Sequence, residues 1–212
     1  MRSYNIEEIV VNEENLNFVL EEGYLLTASR EELLAIRKDM FDSDEMTLPS
    51  GVRTIPYRMF NNVSTLYKMT LPETIETIET YAFYGCSYLT HINLPKTLSS
   101  LGNYAFYGCI RAQEIYYDAA ELPDFGSDNY CFYNLGSQTY STLGLKVIIG
   151  PNAKKIPAYC FRPYNSSSSG DSYIYCFVTE VDGTDATSCL SINNYAFYNC
   201  TRITKLILPP NL

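Results

Sequence analysis

The sequence predicts a β-rich solenoid: a right-handed superhelix of short coils with a parallel β-sheet running along one face. Two observations carry this. The phrase Tyr81-Ala82-Phe83-Tyr84-Gly85-Cys86 returns unchanged as Tyr104-Ala105-Phe106-Tyr107-Gly108-Cys109, and nearly so as Tyr195-Ala196-Phe197-Tyr198-Asn199-Cys200. Looser copies surround Phe60, Phe132 and Phe161. The Phe anchors at 60, 83 and 106 are 23 residues apart, which fixes the unit. A single unit of that length cannot bury its apolar face, whereas stacked units share one core.

Within the unit, apolar residues fall in register. Five residues before the Phe stand Ile55, Ile78, Leu101, Ile156 and Ile192; eight before it stand Val52, Ile75, Leu98, Ala153 and Cys189. After the Phe comes an apolar-x-x-apolar-x-apolar strand, as in Leu66/Met69/Leu71, Leu89/Ile92/Leu94, Ala112/Ile115/Tyr117 and Ile203/Leu206/Leu208. Pro72, Pro95 and Pro209 end three of these strands, because proline cannot donate to a ladder. The anchors at 132, 161 and 197 are more widely spaced, which predicts loop insertions. Keeping Pro151 in the strand-ending place gives a fourth strand Leu145/Ile148/Gly150; the fifth is expected at Ile174/Phe177/Thr179.

A 23-residue unit of one strand and a short return segment lies within the range of leucine-rich repeats. The combination Ala-Phe-x-x-Cys, then a strand ending Leu-Pro, then apolar-x-x-Ile, resembles the BspA-like leucine-rich-repeat family over residues 47–212. Ser127, and the replacement of Cys by Val63 and Leu135, depart from the pattern. The resemblance implies an α/β-type leucine-rich-repeat solenoid from a bacterial surface or secreted protein. It also implies adhesion or binding of a protein partner, such as a host extracellular protein, or of a glycan. A structural spacer presenting another domain is the alternative. The implied location is extracellular or at the cell surface, with any signal peptide and anchor outside this segment.

Residues 1–46 form a separate region. Ile6/Ile9/Val11 repeats the strand pattern, and 17–26 alternates around Gly23 like a β-hairpin. One more repeat strand and a meander continuing through Ile36 are therefore expected. Ser29-Arg30-Glu31-Glu32 before Leu33 and Leu34 also fits a capped helix over 29–40, so both readings stand.

Composition narrows the chemistry. The chain has 212 residues and a formal net charge of −9, and it has no basic run, so nucleic acid is a poor partner. No apolar stretch is long enough for a membrane helix. His91, the one histidine, lies at an outward strand position without a second histidine to help it bind metal or catalyse. No Cys-x-x-Cys or phosphate-cradling glycine loop occurs. No enzyme activity, cofactor or metal is expected. Cys86, Cys109 and Cys200 share one slot and should form a buried column; Cys131, Cys160 and Cys189 fill other core slots. Cys176 alone is expected outside, on a strand.

A partner would meet the outward strand residues. The pattern predicts one stripe of Lys68, His91, Glu114, Val147, Cys176 and Lys205, and a second of Thr70, Asn93, Tyr116, Ile149, Val178 and Ile207. Its C-terminal half is apolar, and a contiguous apolar patch marks an interface with a partner or with another copy of the chain. The alternative is that the insertions at 134–144 and 163–173 cover it. The candidate partner-binding set is Tyr116, Val147, Ile149, Cys176, Val178, Lys205 and Ile207. A second surface is the column Tyr84, Tyr107, Tyr133 and Tyr198, one residue after the Phe anchors, open to a glycan or protein side chain if exposed.

Overall fold

The computed structural model describes residues 6–137, 144–163 and 177–212. It begins with an antiparallel meander of β1 (Phe18–Glu21), β2 (Tyr24–Thr27) and β3 (Leu33–Ile36). Glu22 and Gly23 both take positive φ in the first turn, as a two-residue hairpin requires. Of the two readings for 29–40, the strand prevails at β3, because pairing with β2 buries Leu33 and Ile36 and outweighs helix propensity. A 3₁₀ turn, Lys38–Asp42, follows. The strand expected at Ile6/Ile9/Val11 does not form over residues 6–11. The first place in the main sheet belongs instead to β4 (Glu45–Thr47); its Met46, and Leu48 just after it, enter the core.

From β4 onward each coil contributes one strand to the main sheet. These are β4, β6 (Lys68–Thr70), β8 (His91–Leu94), β10 (Glu114–Tyr117), β11 (Leu145–Ile149), β13 (Val178–Asp182) and β15 (Lys205–Ile207). They lie in chain order and all pair in parallel. The return segments add two-residue strands. β5 (Thr54–Ile55), β7 (Thr77–Ile78) and β9 (Ser100–Leu101) form one ladder, and β12 (Lys155–Ile156) pairs with β14 (Ser191–Ile192). Ile55, Ile78, Leu101 and Ile156, the slot five before the Phe, all enter the core from these strands.

The Phe side chains form a column through the core. Centroids of Phe60, Phe83 and Phe106 are 5.0 Å apart, then 5.8 Å to Phe132, 5.4 Å to Phe161 and 5.2 Å to Phe197. The backbone enforces this. Phe60 N donates to Ala82 O at 2.8 Å, Phe83 N to Ala105 O at 2.8 Å and Phe106 N to Cys131 O at 2.9 Å. The turn thus satisfies its polar backbone in the next coil, as buried backbone must. Two residues after the Phe, Asn62, Gly85, Gly108, Asn134 and Asn199 all adopt positive φ, which explains the Gly or Asn in five of the six coils; Pro163, which cannot take that conformation, stands in the sixth.

Cysteine completes the turn. The thiols of Cys86, Cys109 and Cys200 donate to the carbonyls of Phe60 at 3.0 Å, Phe83 at 3.4 Å and Phe161 at 3.2 Å. All six described cysteines are buried, and no disulfide joins any two of them. Cys176 lies outside the described residues.

The ends of the stack differ. At the N-terminal end the meander lays Tyr24, Leu26, Leu33 and Ile36 against the first coil, and Glu32 bridges in parallel to Thr54. The Arg53 guanidinium binds Glu31 of the meander at 3.0 Å and also Glu76 of the next coil. Burial pushes the Tyr24 phenol up to about 12. In the last coil Leu206 and Leu208 stand half exposed.

The structure corrects the expected registers of the fourth and fifth strands. Ile115 pairs with Val147 and Tyr117 with Ile149, so Val147 and Ile149 are core residues, fully buried. Proline spacing misleads by one residue, because Gly150 is inserted between strand end and Pro151. A Cβ on Gly150 would lie 2.3 Å from the Asp118 carboxylate. That buried carboxylate accepts from the backbone N and side-chain Nδ2 of Asn152, both at 2.8 Å. The fifth strand is β13, whose inward residues are Val178 and Val181. The insertion before it is thus longer than the pattern suggested.

Two outcomes follow for the core. Phe106→Ala should cost about 3–5 kcal/mol in urea unfolding, because the ring is packed between two others and the column cannot collapse. Burial pushes the thiols of Cys86, Cys109, Cys131 and Cys160 far above their usual range, which leaves no thiolate to react. Iodoacetamide at mildly alkaline pH should leave these four unmodified in the folded protein and alkylate them in concentrated guanidinium chloride, as peptide mass mapping would show.

Candidate binding surfaces

The parallel register sets out two lines of outward side chains across the seven-stranded sheet. The first is Glu45, Lys68, His91, Glu114, Lys146, Glu180, Lys205. Apart from His91, charges alternate in sign from strand to strand. Stacked coils place residues of one slot directly side by side, where opposite charges attract and like charges repel. Lys68 lies 3.9 Å from Glu45, Lys146 lies 3.4 Å from Glu180, and Lys205 lies 2.8 Å from Glu180. Lys146 also reaches Asp182 of the second line at 3.3 Å.

The second line is Thr47, Thr70, Asn93, Tyr116, Ile148, Asp182, Ile207. Tyr116 and Ile148 are half-buried neighbours near its middle. Of the expected set, Tyr116, Lys205 and Ile207 stand on the outward lines. Val147, Ile149 and Val178 do not: all three are buried in the core, so the apolar half-face does not exist as predicted. Lys146, Ile148, Glu180 and Asp182 occupy those places. The alternating charges of β11 and β13 were the available signal, since Lys146, Glu180 and Asp182 belong outward on any two-residue period.

The Tyr surface is a double row. One residue after the Phe come Asn61, Tyr84, Tyr107, Tyr133, Arg162 and Tyr198; two residues before it come Arg58, Tyr81, Tyr104, Tyr130, Tyr159 and Tyr195. Ring centroids are 4.8 Å apart for Tyr84–Tyr107 and Tyr107–Tyr133, and 5.0 Å for Tyr81–Tyr104. The second row holds Arg58, Tyr81, Tyr104, Tyr159 and Tyr195 at positive φ, which costs an ordinary residue about 1–2 kcal/mol. The turn imposes this conformation, yet tyrosine rather than glycine fills it. Apart from the buried Asn61, the rows are half-buried to exposed, with Tyr195 and Tyr198 the most open.

The charge line has a pH signature. Lys205 and Lys146 hydrogen-bond Glu180 and hold its carboxyl below the usual range; the hydroxyl and backbone of Thr184, then Lys146, do so for Asp182. Asp182 and Glu180 in turn raise Lys146. Depressed carboxylates stabilise the fold above their unfolded values of 4.5 and 3.8 and lose that contribution as pH falls through the folded ones. The raised lysine contributes below 10.5 and loses it above. Lys146→Ala should therefore lower stability across neutral pH by less than about 1 kcal/mol, given solvent exposure. The difference from the parent should vanish in acid and again in strong alkali, and be reduced by salt.

The BspA type Leucine rich repeat region matches the chain in six copies, over residues 35–168 and 167–212. No curated protein sequence matches it. Among solved structures, the chain is similar to a leucine-rich repeat protein from Eubacterium ventriosum, with a TM-score of 0.61 and 21% identity over 99% of this chain and 50% of that one. It is likewise similar to the pneumococcal vaccine antigen PcpA, with a TM-score of 0.62 and 19% identity over 95% of this chain and 50% of that one. The chain thus spans about half the length of the structures it matches, and these likenesses concern the fold. With six repeat copies covering most of its length, the chain belongs to the BspA-type leucine-rich-repeat family.

Proposed function

We propose that this chain is a binding module of the bacterial cell surface whose strand face meets a protein partner. The observation that carries it is the unbroken parallel sheet, which holds two lines of side chains in register across seven strands. Such arrays are how solenoids make extended binding surfaces. Membership of a repeat family associated with bacterial surface proteins, whose repeats generally bind proteins and are typically non-catalytic, supports the reading.

The first line is largely satisfied by its own ion pairs, so a partner gains little from it. The second offers Tyr116 beside Ile148, with Ile207 further along, as amphipathic and apolar contacts. An aromatic anchor beside an aliphatic one is the composition that dominates protein interfaces. A glycan on the same face would use the same tyrosine.

The self-paired charge line also favours a second reading, a spacer that presents another domain and binds nothing itself. One experiment separates the two. Binding to immobilised host extracellular proteins is compared for the parent chain and for Tyr116→Ala combined with Ile148→Asp. The binding module predicts at least about a tenfold loss for a partner that the parent retains, with the thermal midpoint little changed. Unaltered binding of every retained partner would exclude this face, and retention of none would favour the spacer.

A further inference from the structure

The Tyr rows hold a pocket of about 240 Å³ lined, among the described residues, by Tyr104, Tyr107, Tyr130 and Tyr133. Its origin is visible in the sequence. The interval from Phe106 to Phe132 is longer than the 23-residue unit, and the added residues fall just before Tyr130. Tyr130 alone in its row lacks the positive φ. Its amide is instead held by the side chain of Asn103 at 2.8 Å. The neighbouring rings splay as a result. Tyr81–Tyr104 and Tyr84–Tyr107 each stack within 4° of parallel, whereas Tyr104–Tyr130 opens to 32° and Tyr107–Tyr133 to 24°.

The molecule itself shows what these rows accept. Arginine replaces tyrosine once in each row, and both times its guanidinium lies over tyrosine rings. Arg58 is 5.0 Å from the centroids of both Tyr57 and Tyr81. Arg162 is 5.4 Å from Tyr159 and 5.8 Å from Tyr198. A planar cation is held by the negative faces of aromatic rings, and more strongly where water is partly excluded. The pocket lies between these two arginines, on a chain of net charge −9 that attracts cations. A sugar ring is less suited, because it lies flat on a broad ring face, whereas the rings here open to each other by only 24–32°, a wedge better matched to a small planar group.

We propose that the four-tyrosine pocket receives the guanidinium group of an arginine on a protein partner. This site is on the Phe-bearing turns, separate from the strand face, and stands whether or not that face binds.

The test uses the whole chain and tyrosine-selective ¹H–¹³C NMR. N-acetyl-arginine amide is titrated in parallel with N-acetyl-citrulline amide, its uncharged isostere. The arginine probe should shift Tyr104, Tyr107, Tyr130 and Tyr133 saturably, at least about tenfold more tightly than citrulline. A short arginine-containing peptide should bind more tightly again, as befits a protein partner. Tyr130→Arg, which places in this row the residue already accommodated at position 58, should fill the pocket itself and abolish the response with the fold retained. Equal response to citrulline, a response confined to other tyrosines, or a neutral oligosaccharide that binds where arginine does not would each overturn the proposal. The citrulline comparison decides even if the variant fails to fold.

Discussion

One coil must lie about 5 Å above the next, and everything else in this molecule follows from that. The spacing is set by parallel strand pairing on one side and by the hydrogen-bonded Phe turn on the other. It is also close to the stacking distance of aromatic rings, so a Phe in the same slot of every coil yields a continuous column. Insertions are confined to the segments between these two fixed points, and the column runs through all of them.

The same constraint rules the surface. Any residue repeated in one slot meets its own copy at close range, which suits rings and punishes charges. The outward strand line answers with alternation of sign, and the turn rows answer with tyrosine, interrupted only by Arg58, Asn61 and Arg162. A surface that neutralises itself along the sheet leaves recognition to shape and to the few large uncharged residues. That is why Tyr116 and Ile148 matter more to the functional reading than the lysines and glutamates around them.

The repeat unit, the core slots and the cysteine column were legible because they recur at constant spacing. The strand registers after the insertions were not. Pro151 stands where proline ends other strands, but Gly150 has been inserted ahead of it to clear the Asp118 carboxylate, a long-range contact that no local pattern reveals. The resulting one-residue slip exchanged Val147 and Ile149 for Lys146 and Ile148 and produced an apolar face that the protein lacks. At the other end, Met46-Thr47-Leu48-Pro49 repeats Met69-Thr70-Leu71-Pro72 and marks β4 plainly, yet it straddles the division drawn at 46/47. The first Tyr row was legible as a column. The second needed the turn's geometry, which brings residues two before the Phe against residues one after it, as in Tyr81–Tyr84 and Tyr130–Tyr133.

β11 presents Lys146 and Ile148 outward and buries Val147 and Ile149, so that the strand face is a polar, charge-alternating surface. Single cysteines at positions 146, 147, 148 and 149, probed with a maleimide on the folded protein, test it most directly. The structure predicts rapid labelling at 146 and 148, and protection at 147 and 149 until the chain unfolds. Rapid labelling at 147 and 149 with protection at 146 and 148 would contradict it and restore the apolar face.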